Sequence, residues 1–164
     1  MNVGKNKPYA ILVFGAPMSG KTSFAEHFSE TVKAPFLNCP KLEKDYHVSR
    51  KLAHELIRQL TKSQSTIIIE GLIDTEAERN EIRKLFKEAG YKPILIWVQT
   101  DLNTIKQRMR RAYRTLNEAK AALASSYEHI EAPSEAEQPL VISGKHTYQT
   151  QCRNVISRLP DFNA

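Results

Sequence analysis

The chain has 164 residues, 41% hydrophobic and 26% charged, the balance of an ordinary globular domain large enough to bury a core. No apolar run approaches the roughly 20 residues that a bilayer-spanning helix needs, and the polar, basic opening residues argue against a signal-peptide core before the first strand. A net charge of +6, with a sequence pI near 9.3, suits an anionic ligand, whether a small molecule or a nucleic acid.

Met1 to Pro8 is a polar lead-in. Tyr9 to Phe14 is apolar and β-prone, with the length of a buried strand. Gly15-Ala16-Pro17-Met18-Ser19-Gly20-Lys21-Thr22 follows, and Ser23 to Val32 then has helical spacing, with Phe24, Phe28 and Val32 four apart. Ala34-Pro35 ends that helix. Phe36 to Cys39 is a short second strand stopped by Pro40, and Lys41 to Val48 is polar and is expected to be irregular. Ser49 to Leu60 is a helix with Leu52, Leu56 and Leu60 on one side and Ala53 and Ile57 beside them. Thr66 to Gly71 carries the unbroken β-branched run of a strand covered on both faces.

A helix from Thr75 to Ala89 is closed by Gly90. Pro93 to Val98 is another apolar strand, and Asp101 is placed to cap a helix running from Leu102 toward Glu131 with a break. Ala132 to Glu137 is a polar connector, Pro139 to Ser143 the last strand, Gly144 to His146 a turn and Tyr148 to Leu159 the closing helix. Strands and helices alternate, so the expected fold is α/β with a mainly parallel sheet in one domain over 1–164. Cys39 and Cys152 share no C-x-x-C spacing, which points to free thiols in a reducing, cytoplasmic compartment.

The stretch Gly15 to Thr22 fits G-x-x-x-x-G-K-[ST], and it stands between a strand and a helix as that phosphate-binding loop requires. The backbone N–H groups of the loop and the positive end of the helix dipole can converge there on an anion. Gly15 and Gly20 let the backbone come close to phosphate oxygens. Lys21 is a mobile point charge for the outer phosphates, Thr22 has the hydroxyl for a Mg²⁺ position, and Ser23 reaches the α-phosphate side.

Glu70 stands at the carboxyl end of the Ile67-Ile68-Ile69 strand, the edge where ligands of open α/β sheets bind. From there its carboxylate can serve the Mg²⁺ site. From Lys106 to Arg114 five of nine residues are basic, and Arg108, Arg110 and Arg111 are candidates for a lid over about 106–116 that closes on transferred phosphate. Glu43 and Asp45 are candidate acids beside an acceptor hydroxyl, Asp45 first. Arg79 is open between holding an anionic acceptor and standing on the helix surface. The five histidines, His27, His47, His54, His129 and His146, show no metal-ligand spacing.

With these pieces in order, the chain resembles the small P-loop kinases: zeta-toxin-like kinases, polynucleotide 5′-hydroxyl kinases, gluconate and shikimate kinases, and nucleoside monophosphate kinases. The resemblance rests on Gly15 to Thr22, Ile67 to Gly71, Arg108 to Arg114 and Leu140 to Gly144. It implies a five-stranded parallel sheet in order 2-3-1-4-5, ATP with Mg²⁺, and a mobile lid. It also implies Arg108 beside the adenine, Arg111 or Arg110 on the transferred phosphate, the 143–147 loop along the base and Asp45 at the acceptor. The aspartate pair that some relatives carry after the second strand is replaced by Asn38-Cys39-Pro40.

The function expected is ATP-dependent phosphotransfer, catalysed with Lys21, Asp45 and Arg111, to a small molecule, a nucleotide or a polynucleotide end. The alternative is a nucleotide-binding ATPase or switch acting with a protein partner. A plain nucleic-acid binder would leave the phosphate-binding loop without a purpose.

Overall fold

In the computed structural model, residues 7–160 are described; the start of the polar lead-in, through Asn6, lies outside them. Five strands, β1 (Tyr9–Phe14), β2 (Phe36–Asn38), β3 (Ile67–Glu70), β4 (Lys92–Gln99) and β5 (Leu140–Ser143), form one sheet in the order β2-β3-β1-β4-β5. All pairings are parallel, with Leu12 facing Ile69 on one side and Leu95 on the other. Among the described residues seven α-helices form: α1 (Lys21–Val32), α2 (Cys39–Tyr46), α3 (Arg50–Thr61), α4 (Glu76–Glu88), α5 (Leu102–Ala112), α6 (Leu116–Tyr127) and α7 (Tyr148–Ile156).

Side chains alternate across β1, and both sets are buried. Tyr9, Ile11 and Val13 pack with Phe24 and Phe28 of α1 and Val155 of α7. Ala10, Leu12 and Phe14 pack on the other face with Ala53 and Ile57 of α3 and Ile82 and Phe86 of α4. The Phe24 and Phe28 rings stack with centroids 5.3 Å apart. Removing either ring from this layer would cost about 3–5 kcal/mol. The core thus holds β1 rigid from both sides, and the loop after it inherits that rigidity.

One sequence expectation is corrected and two are sharpened. Lys41 to Val48 is not irregular, because α2 occupies most of it. The Asn38 side chain accepts from Lys41 N–H at 3.0 Å, and a proline in the first turn loses no helical hydrogen bond. Helix α3 buries Ala53, Ile57 and Thr61 rather than the leucine row, and Leu52 is exposed. The small Ala53 allows that neighbouring row the closer approach to the sheet. The break expected in the helix after β4 falls at 113–115: Tyr113 leaves helical geometry at φ −109°, and Thr115 restarts it with a capping box to Glu118.

Candidate nucleotide and acceptor site

The loop after β1 is held by backbone geometry that its sequence specifies. Gly20 sits at φ 99° as the cap of α1, and Met18 lies in the left-handed region at φ 61°. Ser19 N–H donates to Ala16 O at 3.1 Å. The first turn of α1 carries no acidic residue, which leaves its free N–H groups for an anion. Lys21 Nζ rests at 3.4 Å from Ala16 O, a weak contact it can leave for phosphate oxygens.

Other elements fix the loop from outside. Thr100 Oγ1 donates to Ser19 O at 2.8 Å. Arg108 donates from Nη1 to Met18 O at 2.8 Å and from Nη2 to Gly144 O at 2.9 Å. Gly144 comes so close that a Cβ there would fall 1.8 Å from Ser19 O. Ile105 and Met109 of α5 and Ala119 of α6 form an apolar cluster against which Ala16 and Met18 pack, so α5 and α6 sit directly on the loop.

Beside this loop opens a cleft of about 490 Å³. Gly20, Lys21, Thr22 and Ser23 line its phosphate end, and Arg108, Gly144 and His146 line the far side. His27 and Tyr148 complete an aromatic wall, their rings 5.3 Å apart. The expected places of Arg108 and of the 143–147 loop are therefore next to the phosphate loop. His27 and Tyr148 were missed as cleft residues; the only sequence signal was their nearness to the loop helix and to the turn after β5.

Thr22 Oγ1 donates to Glu70 Oε1 at 2.8 Å. Glu70 is buried, and its Oε2 and the Ser19 hydroxyl are buried polar atoms without a partner among the described residues. Burial pushes the Glu70 carboxyl above the usual carboxylate range, while Lys21 and the Thr22 hydrogen bond pull it back. A hydroxyl beside a carboxylate with an unused oxygen is a donor set that fits a hard divalent cation completed by phosphate oxygens and water. No group of three or more histidine, cysteine or acidic side chains is placed to hold a metal ion among the described residues.

A second cleft, of about 230 Å³, lies between α2, α3 and the loop after β3. Glu43, Arg50, Asp74 and Glu78 line it over an apolar floor of Val48, Ala53 and Leu72. Arg50 is paired with Glu78 at 2.5 Å. Burial and the Glu78 charge raise the Asp74 carboxyl above its ordinary range, while Lys21, Arg79 and Arg50 pull it back. Sequence reasoning missed Asp74, whose signal was its place four residues past Glu70. Asp45 is exposed on α2 and does not line this cleft, whereas Glu43 does.

Arg110 and Arg111 are exposed on α5, and neither lines the nucleotide cleft. Arg79 is neither on the surface nor at an anion site. It is wholly buried, in an ion pair with Glu137 at 2.6 Å. The polar connector likewise ends in a 3-10 turn that buries Glu137.

Comparison with known proteins agrees with this geometry. The APS kinase CysC of Mycobacterium tuberculosis, solved with AMPPNP and APS, superposes with a TM-score of 0.67 at 17% identity, over 92% of this chain and 96% of that one. A gluconokinase from Sinorhizobium meliloti 1021 gives 0.63 at 14%, over 93% and 92%. Kti12 of Chaetomium thermophilum with ADP-AlF3 gives 0.65 at 15%, over 96% and 100%. At these identities the likeness is one of fold, that of the P-loop kinases. No curated protein matches the sequence. A family model described as an AAA domain matches residues 11–133, more than half of the chain, with Gly15 to Thr22, Glu70 and α5 inside it. The chain is a member of that AAA-domain family, built on the five-stranded parallel P-loop fold.

Proposed function

We propose that the protein is an ATP-dependent phosphotransferase that moves the γ-phosphate to a hydroxyl group. The observation that carries this reading is the meeting of two clefts at the end of β3. Glu70 accepts from Thr22, which lines the nucleotide cleft, and Gly71, Leu72 and Asp74 just after it line the second. A donor site and an acceptor site that adjoin in this way are what in-line transfer needs.

In this reading Gly15 to Gly20 cradle the triphosphate with backbone N–H groups, and Thr22 and Glu70 would hold Mg²⁺. When bound, that ion offsets charge on the phosphate oxygens. Ser23 takes the α-phosphate side and Arg108 flanks the base. Arg111 reaches the phosphates only if α5 shifts. Asp74 replaces Asp45 as our choice of acid at the acceptor: it orients the hydroxyl and takes its proton.

The acceptor cleft suggests which hydroxyl compound fits. With Arg50 committed to Glu78, Glu43 and Asp74 leave a net negative lining. An uncharged or amine-bearing alcohol is favoured over a phosphorylated or carboxylated one, despite the +6 of the whole chain.

The test is mass-spectrometric detection of phosphoryl transfer from ATP across matched neutral, amino and acidic alcohols, nucleosides and 5′-hydroxyl oligonucleotides. The Lys21→Ala variant serves as the blank. ATP hydrolysis without transfer to any of them would sink the reading and leave the alternative, a partner-driven ATPase. The Asn38-Cys39-Pro40 departure after β2 is what keeps that alternative in play.

A further inference from the structure

Arg79 heads the fully buried side chains by volume, and it lines neither cleft. A buried ion pair is a poor source of stability compared with apolar packing, so its presence calls for a geometric account. The hydrogen bonds supply one. Nη1 donates to Ile73 O at 3.2 Å and Asp74 O at 3.1 Å, both in the loop after β3. The same nitrogen donates to Glu131 O at 2.9 Å, in the connector that follows α6. Nε and Nη2 grip the Glu137 carboxylate at 2.6 and 3.0 Å, further along that connector. The guanidinium carbon also lies 5.1 Å from the Phe14 ring centroid, at the end of β1.

Two further bonds run directly between the segments. Glu131 N–H donates to Asp74 O at 2.9 Å. Glu76 N–H donates to the Glu131 carboxylate at 2.8 Å. The loop so held carries backbone strain at Leu72, which is not glycine yet stands at φ 62°. Such a conformation persists only when its surroundings over-determine it.

We propose that Arg79 is a positioning residue for the acceptor side of the site. Its guanidinium ties the Ile73-Asp74 loop to the 131–137 connector, so the strained loop presents the Asp74 carboxylate in one place, and the seating of α6 is felt at the acceptor. The kinetic consequence rests on the phosphotransfer reading above; the structural one does not.

The test replaces both charges, Arg79→Met with Glu137→Leu, so that no lone charge is left in the core. Amide hydrogen exchange should quicken by about tenfold or more at Glu76 and Glu131 while β1 stays protected. ATP affinity should hold within about twofold, and kcat for the acceptor should fall by about 10- to 100-fold, the effect of misplacing one catalytic group. Unchanged exchange at Glu76 and Glu131 overturns the inference whatever the enzyme does. Faster exchange with wild-type kcat and KM overturns the positioning role as well. A fall in ATP affinity parallel to kcat shows a purely structural role. If the double variant does not fold, Glu137→Gln, which keeps an oxygen for Arg79, is read by the same exchange and kinetic measurements. A wild type that transfers phosphate to nothing sinks the phosphotransfer reading alone, and the exchange result still decides the tie.

Discussion

Thr22 Oγ1 donates to Glu70 Oε1 at 2.8 Å, joining the first turn of α1 to the end of β3. The pair leaves Glu70 Oε2 without a partner among the described residues. Glu70→Gln should therefore weaken MgATP binding by about tenfold or more, the loss of a charge-assisted ligand. Binding of ATP in excess chelator should change little. Titration calorimetry with and without EDTA checks this; equal losses in both conditions would remove Glu70 from the metal site.

Gly144 has no room for a side chain, since Ser19 O and Thr100 Oγ1 would lie 1.8 and 2.2 Å from its Cβ. Gly144→Ala must push the β5–α7 turn off the phosphate loop. The expected outcome is a drop in stability of about 1–3 kcal/mol, as for overpacking, together with weaker ATP binding. Denaturant unfolding and nucleotide titration on one sample measure both. Wild-type affinity in a folded variant would show that the turn does not shape the cleft.

Asp74→Asn should lower kcat by about 10²- to 10⁴-fold with ATP affinity intact, the range for losing a general base. Asp45→Asn should stay near wild type. The pH profile gives a second check. Burial raises the Asp74 carboxyl above its ordinary 3.8, so a base at this position becomes active only at a pH above that value. The rate should climb with pH on an acid limb displaced upward, and the limb should vanish in Asp74→Asn. By the same linkage, the folded state binds this proton more tightly than the unfolded chain. The associated stability is present below 3.8 and is lost as pH rises through the raised value.

Cys39 is buried, and burial, with Glu70 second, pushes its thiol up to about 11, while Cys152 is only partly covered. Thiolate is the reactive form, so iodoacetamide at neutral pH should label Cys152 first. Cys39 should react about 100-fold more slowly than an ordinary thiol from its shift alone. Peptide mapping over time measures both sites. Early labelling of Cys39 would mean that the floor of the acceptor cleft opens readily.

The donor half of the site was legible in the sequence because it is local. Strand, loop and helix are contiguous from Tyr9 to Val32, and Glu70 follows an apolar run that could only be a buried strand. The 2-3-1-4-5 order came from the resemblance, and the observed strand order agrees with it. The acceptor half was not legible, because its geometry is non-local. Asp74 belongs to the cleft through helices α2 and α3, which precede it by some way in the chain. Nothing near Arg79 in sequence announces Glu137. Helix α2 was missed because a polar stretch with a proline looks like a loop until Asn38 is seen to cap it.

The sheet order has a last consequence. Strand β1 is paired to β3 from the first half of the chain and to β4 from the second, and its residues are almost entirely shielded. A fragment that stops after α4 would leave one whole side of β1 as an unpaired, apolar edge, the template on which chains stack into aggregates. The chain is therefore indivisible where an α/β domain is most often cut: the strand that carries the nucleotide loop is also the seam between its two halves.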